Sequence, residues 1–541
     1  MQLLSDTVYC GLVWQIIMLN LLTFLVMSIL FRNYVAFILR LQYNSFSKLF
    51  ATQSARRDGL GKPKGYAGGV LRYSPVAEAR SGLPPPGQLF TVLGLESSCD
   101  DTGVAIVRSD GKILADVVLS QYDIHEKFGG IVPSLAMEAH KANIDRAIAE
   151  ALKQAKLSLE DISAIAATQG PGLEICLRVG FKKGQELARQ FGKPFVSVHH
   201  LEAHCLIARL TGQQILANTG KQGEPSTNAI NRGPPKVDYP FLALLASGGH
   251  TSLLVCRGIG DYTVLGGTLD DSVGEAFDKA ARLLGLRFSN SGGAAVEQAA
   301  KLHEEILEVP RQQPVFRQRR GANSTESSSV FNMRVPMRDK INCDFSFAGL
   351  KNSFRVAVQN ARAGKSGKEQ SNAPAGNMQA TDPSQITALD AKHANQLCYH
   401  FQDVAFTHLE DRIDRALDFC EGQFFDGPDG NINITALVVV GGVAANLELR
   451  RRLLLLLEGR AAGPPPRSNK DVCKTSYPAV AARLPLVFPP PALCTDNGIM
   501  AAWAGVEKLL LGYSDSLDGK GDVISRWPLG ELDATLSFKK K

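Results

Sequence analysis

The stretch LFTVLGLESSCDDTGVAIV (89–107) determines the fold. It follows a long leader whose last part, residues 54–87, is loop-like. An apolar run, a polar turn and a second apolar run predict a β-hairpin. About 150 residues later, YPFLALLASGGHTSLLVC (239–256) repeats this plan with small residues in the turn. Because each hairpin is followed by stretches of helical periodicity, we predict a duplicated α/β architecture of two lobes. A ligand cleft is expected between them.

The remainder of the chain divides by composition. Apolar spacing predicts helices over four ranges, 139–155, 180–191, 270–286 and 388–417. Polar segments rich in Gly, Ser, Asn and Pro predict loop insertions over another four, 213–236, 311–329, 360–384 and 459–471. The expected organisation is a leader and linker at 1–88, a first lobe at 89–212, the insertion 213–236, a second lobe at 237–485, and a segment 486–541 that returns to the first lobe.

The charge of the protein is concentrated at its N-terminus. The chain has 541 residues, more than one hydrophobic core usually serves, and a net charge of +6. Nine Lys and Arg against three acidic residues fall within 1–80, so the remaining 461 residues are neutral overall. Binding to a nucleic acid would therefore need a local basic patch or a partner. Ten cysteines without a C-x-x-C pair favour a reducing compartment.

The leader supports two interpretations. Residues 8–31 are uncharged and long enough to span a bilayer. However, no acidic residue lies between Asp6 and Asp58, and arginines and hydroxyl residues are spaced along this stretch, as in organellar presequences. We predict a mitochondrial targeting leader, with a membrane anchor through 8–31 as the alternative. No stable membrane association of the mature body is expected.

The segment HHLEAH (199–204) contains a candidate metal site. On a helix His200 and His204 share a face, so their imidazoles can bind one ion. A zinc peptidase of the H-E-x-x-H type has its glutamate directly after the first histidine, whereas here Leu201 stands there and Glu202 turns away from the histidine face. A peptidase is therefore disfavoured. By itself the pair could also be two helical histidines satisfied by hydrogen bonds.

Several glycine-rich turns are candidates for ligand binding. The second hairpin turn, Ser247-Gly248-Gly249-His250, permits close backbone approach by a ligand, although a tight hairpin alone would also use these glycines. The segment 170–180, which begins Gly-Pro-Gly and precedes a predicted helix, can act as a loop that opens a helix N-terminus to an anion. Asp278 lies in an amphipathic stretch, where a carboxylate either favours the helix dipole or hydrogen-bonds ligand hydroxyls.

Together these motifs resemble the tRNA adenosine threonylcarbamoyltransferase family, once described as O-sialoglycoprotein endopeptidases. In family order the chain contains LGLESSCDDTGVAIV, GGIVPSLAMEAHKANI, TQGPGLEICLRVG, HHLEAH, ASGGHTSLL, GTLDDSVGEAFDKAARLLGL, DFSFAGLKNSF, GGVAANLELR and CTDNG, from about Val92 to Val506. The resemblance implies a duplicated actin/Hsp70-like ATPase (ASKHA) fold. It also implies transfer of a threonylcarbamoyl group from threonylcarbamoyl-AMP to N6 of the adenosine beside the tRNA anticodon, in the mitochondrial member.

The resemblance also assigns site residues. The implied ligands of one divalent metal ion per subunit, zinc or iron, are His200, His204 and Asp496. The implied adenylate-binding residues are Leu245, Ala246, Ser247, Gly248, Gly249, Asp278, Gly293, Glu297 and Asn446. No nucleophile is apparent, so direct attack by the adenosine amine is expected. A neutral body favours a homodimer or a helper to complete the tRNA surface.

The chain departs from the family pattern at one loop. Ser291-Gly292-Gly293-Ala294 replaces a proline-bracketed Pro-Gly-Gly-Pro, which keeps the glycines but loosens the loop that carries Gly293. Two other functions remain as alternatives. A kinase or chaperone-type ATPase of the same fold would share the hairpin turns but would not need His200, His204 and Asp496. A non-catalytic scaffold would show degraded motifs. His199 has no assigned role.

Overall fold

The protein is described from a computed structural model, which covers residues 87–128, 130–210, 237–286, 291–307, 331, 333–363, 389–421, 434–461, 484–515 and 521–532. The predicted leader up to residue 86, including the apolar run 8–31, lies outside these residues, as does most of each predicted insertion. Within the described ranges, no helix combines the length and the apolar character needed to cross a membrane.

The first sheet grows outward from the first hairpin. Its strands are β1 (Thr91–Glu96), β2 (Thr102–Arg108), β3 (Ile113–Leu119), β4 (Ala164–Gly170) and β5 (Phe195–His199). They are ordered β3-β2-β1-β4-β5. The pairs β1–β2 and β2–β3 are antiparallel, whereas β1–β4 and β4–β5 are parallel.

The second sheet repeats this order around the second hairpin. Its strands are β6 (Phe241–Ala246), β7 (Thr251–Gly258), β8 (Asp261–Gly267), β9 (Leu437–Val440) and β10 (Leu486–Val487), with β11 (Glu531–Leu532) added at the edge of β8. The order β8-β7-β6-β9-β10 and the strand directions match the first sheet. The predicted duplicated α/β fold of the actin/Hsp70 ATPase type is confirmed.

Helices connect and cover the strands. They are α1 (Tyr122–His125), α2 (Pro133–Ala155), α3 (Glu174–Gln190), α4 (His200–Leu206), α5 (Val273–Leu284), α6 (Gly292–Leu307), α7 (Ala348–Arg362), α8 (Ala391–Cys420), α9 (Leu447–Ala461) and α10 (Gly498–Leu510). The four predicted helices are present as α2, α3, α5 and α8. The predicted start of α3 at 180 is wrong, because Gly180 lies inside the helix, where a Cβ would come 2.5 Å from Ser97 Oγ.

Three apolar clusters define the layers. One lies between the first sheet and α2 and α3, and another between the second sheet and α5 to α9. The third contains α4, α10 and residues of both sheets, so these two helices form a middle layer. Because β1 and β6 are covered on both faces, they are buried along nearly their whole length. All of β6 and the middle of β1, residues 92–95, are consecutive apolar or small residues rather than an alternating pattern.

Close packing fixes the position of α10 on the first sheet. A Cβ on Gly94 would lie 2.3 Å from the backbone nitrogen of Ala502, and one on Gly498 would lie 2.4 Å from that of Ala105. Glycine at both positions therefore lets the helix backbone approach the strands. The side chain of Asn497 caps the helix by accepting a hydrogen bond from Met500 N at 2.9 Å.

Three predicted boundaries need correction. The polar segments expected at 360–384 and 459–471 begin a few residues later, because α7 ends at Arg362 and α9 at Ala461. The segment expected at 486–541 to return to the first lobe is divided. Its helix α10 packs on the first sheet, but β10 and β11 pair with the second sheet because each extends an edge of it.

Candidate metal centre and ligand cleft

His200, His204 and Asp496 form one cluster. The two histidines lie one turn apart on α4, with ring centroids 4.7 Å apart. Asp496 comes from the turn before α10, and its Oδ1 lies 3.6 Å from His200 Nε2 and 3.1 Å from His204 Nε2. One ligand atom from each residue lies within 4.8 Å of the others, an arrangement that could hold a metal ion.

The ring of His200 is oriented by the first hairpin turn. Its Nδ1 lies 3.2 Å from Ser98 Oγ and 3.4 Å from Glu96 Oε2. Glu96 is fully buried and accepts hydrogen bonds from Ser98 N at 2.6 Å and from the Thr168 hydroxyl. Because Nδ1 is engaged by these groups, Nε2 faces the cluster, as is typical of metal-binding histidines supported by a carboxylate.

The side chains of His200, Asp496 and Glu96 stabilise one another's charges. Burial alone would lower the pKa of His200, but the carboxylates of Asp496 and Glu96 outweigh it and raise that pKa to about 9. Conversely, burial opposes ionisation of Asp496 and Glu96, yet the His200 charge leaves both pKa values below their ordinary range. The cluster therefore holds a proton that a divalent cation would displace, since metal ligands must be deprotonated.

His199, which the sequence left without a role, positions the start of α4. Its Nδ1 accepts hydrogen bonds from the backbone nitrogens of Leu201 at 3.2 Å and Glu202 at 3.4 Å. Its Nε2 donates to the carbonyl of Trp527 at 3.1 Å. Burial lowers the pKa of His199 to about 3, so the ring is neutral and works as a helix cap.

Glu202 has a structural partner. Its carboxylate lies 2.8 Å from Lys508 Nζ on α10 and accepts hydrogen bonds from Gly260 N at 2.8 Å and the Tyr262 hydroxyl at 3.0 Å. Both ends of the ion pair are fully buried. Glu202 thus ties α4 to α10 and to the β7–β8 turn, and is not available as a hydrolytic base.

The turn after β6 presents open backbone. Leu245 and Ala246 end the buried strand, and Ser247 to Gly249 form the exposed turn. A Cβ on Gly248 or Gly249 would meet no atom within 4 Å, and neither residue has a positive φ. Neither packing nor conformation within the described chain explains these two glycines. Open backbone of this kind leaves room for a ligand.

His250 joins this turn to the metal cluster. Its backbone nitrogen donates to Ser247 Oγ at 3.1 Å, and its carbonyl accepts from Ser247 N at 2.8 Å. Burial, and after it the charges of His200 and His204, lower the pKa of His250 to about 4. The turn of the second hairpin is therefore close enough to the cluster for the charges to interact.

Asp278 and Glu297 contact backbone at neighbouring helix starts. Asp278 Oδ1 accepts a hydrogen bond from Gly292 N at 3.0 Å, at the start of α6. Glu297 Oε1 accepts one from Leu447 N at 2.7 Å, at the start of α9. Burial is the largest influence on both carboxyls and raises both pKa values.

Both the oxygen and the nitrogen of the Asn446 side-chain amide form hydrogen bonds. Its Oδ1 accepts from Leu449 N at 3.0 Å, which caps α9, and its Nδ2 donates to Gln402 Oε1 at 3.1 Å. The loop that carries it begins at Gly441, whose φ of 91° and close approach to the Ala246 carbonyl, 2.4 Å from a Cβ, require glycine. This contact places the loop beside the β6 turn.

The predicted second-lobe residues gather at one edge of the second sheet. Gly274 N, at the start of α5, donates to the Ser247 carbonyl at 3.2 Å, and the Ser272 hydroxyl donates to the Gly248 carbonyl. Gly293 follows the residue that contacts Asp278. The start of α5 thus contacts the turn Ser247–Gly249 directly, and the start of α6 is joined to α5 through Asp278.

Sequence reasoning missed Glu96 and Ser98 as partners of His200, and His250 as a neighbour of the cluster. Glu96 and Ser98 belong to the polar turn of the first hairpin, and only the fold shows that they face α4. His250 was quoted within the family motif, so its position in the second turn was the available signal.

Fold and site define a two-lobed α/β protein of the actin/Hsp70 ATPase class with a candidate metal centre between α4 and the turn before α10. The sequence model of the tRNA N6-adenosine threonylcarbamoyltransferase family matches residues 112–223 and 226–503. The chain belongs to this family, and it is a transferase that acts on adenosine in tRNA.

Relatives span most of the chain. The probable mitochondrial tRNA N6-adenosine threonylcarbamoyltransferase of Arabidopsis thaliana is 37% identical over 450 residues, 82% of this chain and 75% of that protein. A tRNA N6-adenosine threonylcarbamoyltransferase of Rhizobium etli is 38% identical over 457 residues, 83% and 97% respectively. Among solved structures, component A of the (R)-2-hydroxyglutaryl-CoA dehydratase of Acidaminococcus fermentans is similar at 12% identity and a TM-score of 0.35, covering 78% of this chain and 99% of that one.

Proposed function

We propose that the donor is threonylcarbamoyl-AMP and that the acceptor is N6 of the adenosine beside the anticodon. The observation that supports this most is the proximity of the His200, His204 and Asp496 cluster to the open turn Ser247–Gly249, through His250. A donor that carries a phosphate next to its reactive carbonyl would need both features. The cluster would contact the phosphate and carbonyl oxygens, and the turn would contact the nucleotide.

The three side chains of the cluster fit one divalent metal ion. Two imidazole nitrogens and a carboxylate oxygen suit zinc and iron alike. The contacts of Glu96 and Ser98 with His200 Nδ1 provide the support that such ligands usually have. When bound, the ion would supply positive charge to the donor's oxygens and hold them in place.

The second lobe would hold the adenylate. Backbone groups of Leu245 to Gly249 would approach the phosphate and ribose, because the turn is open. Asp278, held by Gly292 N, would accept hydrogen bonds from ribose hydroxyls, with Gly293 beside it. Glu297 would contribute from α6. Since the amide of Asn446 is already engaged, we infer that Asn446 acts by holding the start of α9 against the site.

The reaction needs no protein nucleophile. The adenosine N6 attacks the carbamoyl carbon and a C–N bond forms. The bond from that carbon to the phosphate oxygen breaks, AMP leaves with the electron pair of that bond, and N6 gives up one of its two protons to water. The protein contributes by binding both substrates in line and by neutralising the charge on the leaving phosphate.

We also propose that the protein forms a homodimer and that it is located in mitochondria. Large apolar side chains are exposed near the starts of α2 and α3, where a second copy could cover them: Ile124, Phe128, Ile131, Leu135 and Ile175. The acid-poor leader supports mitochondrial import. Sedimentation of wild type and Phe128→Glu tests the dimer, and the location of a leader–fluorescent protein fusion tests the compartment.

The direct test combines purified protein, synthetic donor and unmodified tRNA, with nucleosides analysed by mass spectrometry. Threonylcarbamoylated adenosine is the expected product, and Asp278→Asn is expected to raise the donor KM. A kinase or ATPase of the same fold would instead hydrolyse or transfer the terminal phosphate of ATP without forming the modified nucleoside. That result would replace the proposal.

A further inference from the structure

A groove lies between α5 and α7 on the second lobe, outside the site described above. Its volume is about 400 Å³, and it is lined by Lys279, Arg282, Leu283, Lys351, Asn352 and Arg355. Four of these six side chains are cations, although the body of the chain is neutral overall. A local concentration of positive charge is what a neutral protein needs in order to bind a polyanion.

The first of the two helices that form the groove starts beside the turn Ser247–Gly249, and the start of the second is tied to the same loop. Asp270 accepts hydrogen bonds from Phe347 N at 2.8 Å and Ala348 N at 3.2 Å, and so fixes the start of α7. Two residues later, Ser272 donates to the carbonyl of Gly248. A strand lying in the groove would therefore run past the turn to which we assign the donor.

Two of the four cations are already neutralised. Lys279 lies 2.6 Å from Glu275 and 3.3 Å from Asp271, and Lys351 also pairs with Asp271. Asp278 lies on the α5 side, near Arg282. The carboxylates on or beside these walls include Asp270, Asp271, Glu275 and Asp278. The lysines pair with Asp271 and Glu275, and Asp270 is held by the start of α7.

The two arginines remain available on opposite walls. Arg282 on α5 and Arg355 on α7 are exposed, and neither forms an ion pair with a carboxylate in the described part of the chain. Among the described residues, Arg355 donates to the Asn352 side chain, at 3.0 Å. A guanidinium can donate two parallel hydrogen bonds to a phosphate, which makes arginine the preferred residue for this group.

We infer that the α5–α7 groove binds the sugar–phosphate backbone of the substrate RNA, with Arg282 and Arg355 contacting phosphates next to the reactive adenosine. This inference rests on the proposed function for the identity of the RNA. The expected ligand is a single-stranded loop, because proteins that bind one RNA strand use a positively charged groove that follows its backbone.

The test is RNA binding by the full chain without donor. The probe is an unmodified tRNA transcript with the target adenosine, and binding is measured over a range of salt concentrations. Loss of two phosphate contacts in Arg282→Gln/Arg355→Gln is expected to reduce the slope of log K against log salt by about 1.4 and to weaken binding roughly tenfold near 0.15 M salt. The variant Arg282→Gln/Arg355→Lys, which keeps the charge at position 355, should recover part of the RNA affinity that the double glutamine variant loses.

A matched control lies on the other lobe. A groove of about 320 Å³ between β3 and α2 is lined by Arg146 and Lys153, among others, and Arg146 donates to Asn143 as Arg355 does to Asn352. Arg146→Gln/Lys153→Gln removes the same charge and should leave RNA affinity unchanged. Equal weakening by both double variants, or none by the first, would overturn the inference. An acidic protein partner for the groove would give the second outcome.

Transfer activity separates this inference from the proposed function. Wild type that forms no modified nucleoside but binds RNA through the groove would refute the proposed reaction and leave the groove standing. Wild type that modifies tRNA while Arg282→Gln/Arg355→Gln binds RNA normally would refute the groove alone.

Discussion

His204 and Asp496 are 292 residues apart in the chain, yet His204 Nε2 lies 3.1 Å from Asp496 Oδ1. The contact exists because α4 and α10 share the middle layer between the two sheets. α4 continues directly from β5, and α10 is held on β1 and β2 by the close approach of Gly94 and Gly498. The metal centre is thus a product of how the layers pack.

Glu96 is expected to tune the metal centre through His200. Glu96→Gln should weaken metal binding by about 10- to 100-fold, because the carboxylate no longer orients and polarises the imidazole. Metal affinity is measured by competition with a chelator of known affinity. Thr168→Val removes another hydrogen bond to the same carboxylate but no partner of His200, and should have a smaller effect. Equal affinities in wild type and Glu96→Gln would show that the contact has no such role.

The open turn and the packed strand provide contrasting glycine variants. Gly248→Ala should change the free energy of unfolding by no more than about 0.5 kcal/mol, because a Cβ there meets nothing. It should raise the donor KM about tenfold, the equivalent of about 1.4 kcal/mol.

Gly94→Ala should lower the free energy of unfolding and leave the donor KM unchanged. Its Cβ would clash with the backbone of Ala502, and such overpacking costs about 1–3 kcal/mol of stability. Thermal unfolding and donor KM together distinguish the two variants. An unchanged donor KM in Gly248→Ala would remove the turn from the binding site.

Glu202 is expected to matter for stability and not for chemistry. Glu202→Gln removes the carboxylate that neutralises the buried Lys508, and losing one partner of such a pair costs about 3–5 kcal/mol. The metal content of the folded protein should not change. Glu202→Gln/Lys508→Met, which also removes the positive charge of the lysine, should recover part of the stability. Loss of metal in folded Glu202→Gln would mean that this carboxylate belongs to the metal centre.

His199 should make the fold sensitive to acid. Its pKa falls from an ordinary 6.5 to about 3 in the folded protein, so the unfolded chain binds the proton more readily. The stability it contributes is therefore fully present above pH 6.5 and is lost as pH falls from 6.5 toward about 3, at about 1.4 kcal/mol per pH unit.

His199→Asn keeps an acceptor for the helix start but cannot titrate. The stability difference between pH 7 and pH 5 should shrink by about 2 kcal/mol in this variant. His393→Asn, at an exposed histidine, should leave the difference as in wild type. Denaturant unfolding at the two pH values measures both, and an unchanged difference in His199→Asn would contradict the neutral cap.

The sequence was sufficient for the fold and for part of the site. Two hairpins of similar pattern predicted the duplication, since apolar runs around a polar turn are local signals. The spacing of His200 and His204 predicted a shared face for the same reason. Asp496 came only from the family resemblance, because no local pattern records a contact between α4 and α10. His199 and Glu202 were beyond prediction, since their partners Trp527 and Lys508 are more than 300 residues away.

The same limit explains the misplaced start of α3. Gly180 looked like a helix boundary, whereas its lack of a side chain serves packing against Ser97, another residue distant in sequence. The conformational preference of a glycine can be inferred from the local sequence. A close approach between two elements that are distant in the chain cannot.

The central claim is that His200, His204 and Asp496 hold a metal needed for threonylcarbamoyl transfer. The most direct test measures bound metal and modified nucleoside in His200→Ala/His204→Ala beside wild type and the exposed-histidine control His393→Ala. The claim predicts one metal per subunit in wild type and in the control, none in the double variant, and transfer by the folded double variant reduced at least about a hundredfold. Full transfer by the metal-free double variant would contradict it.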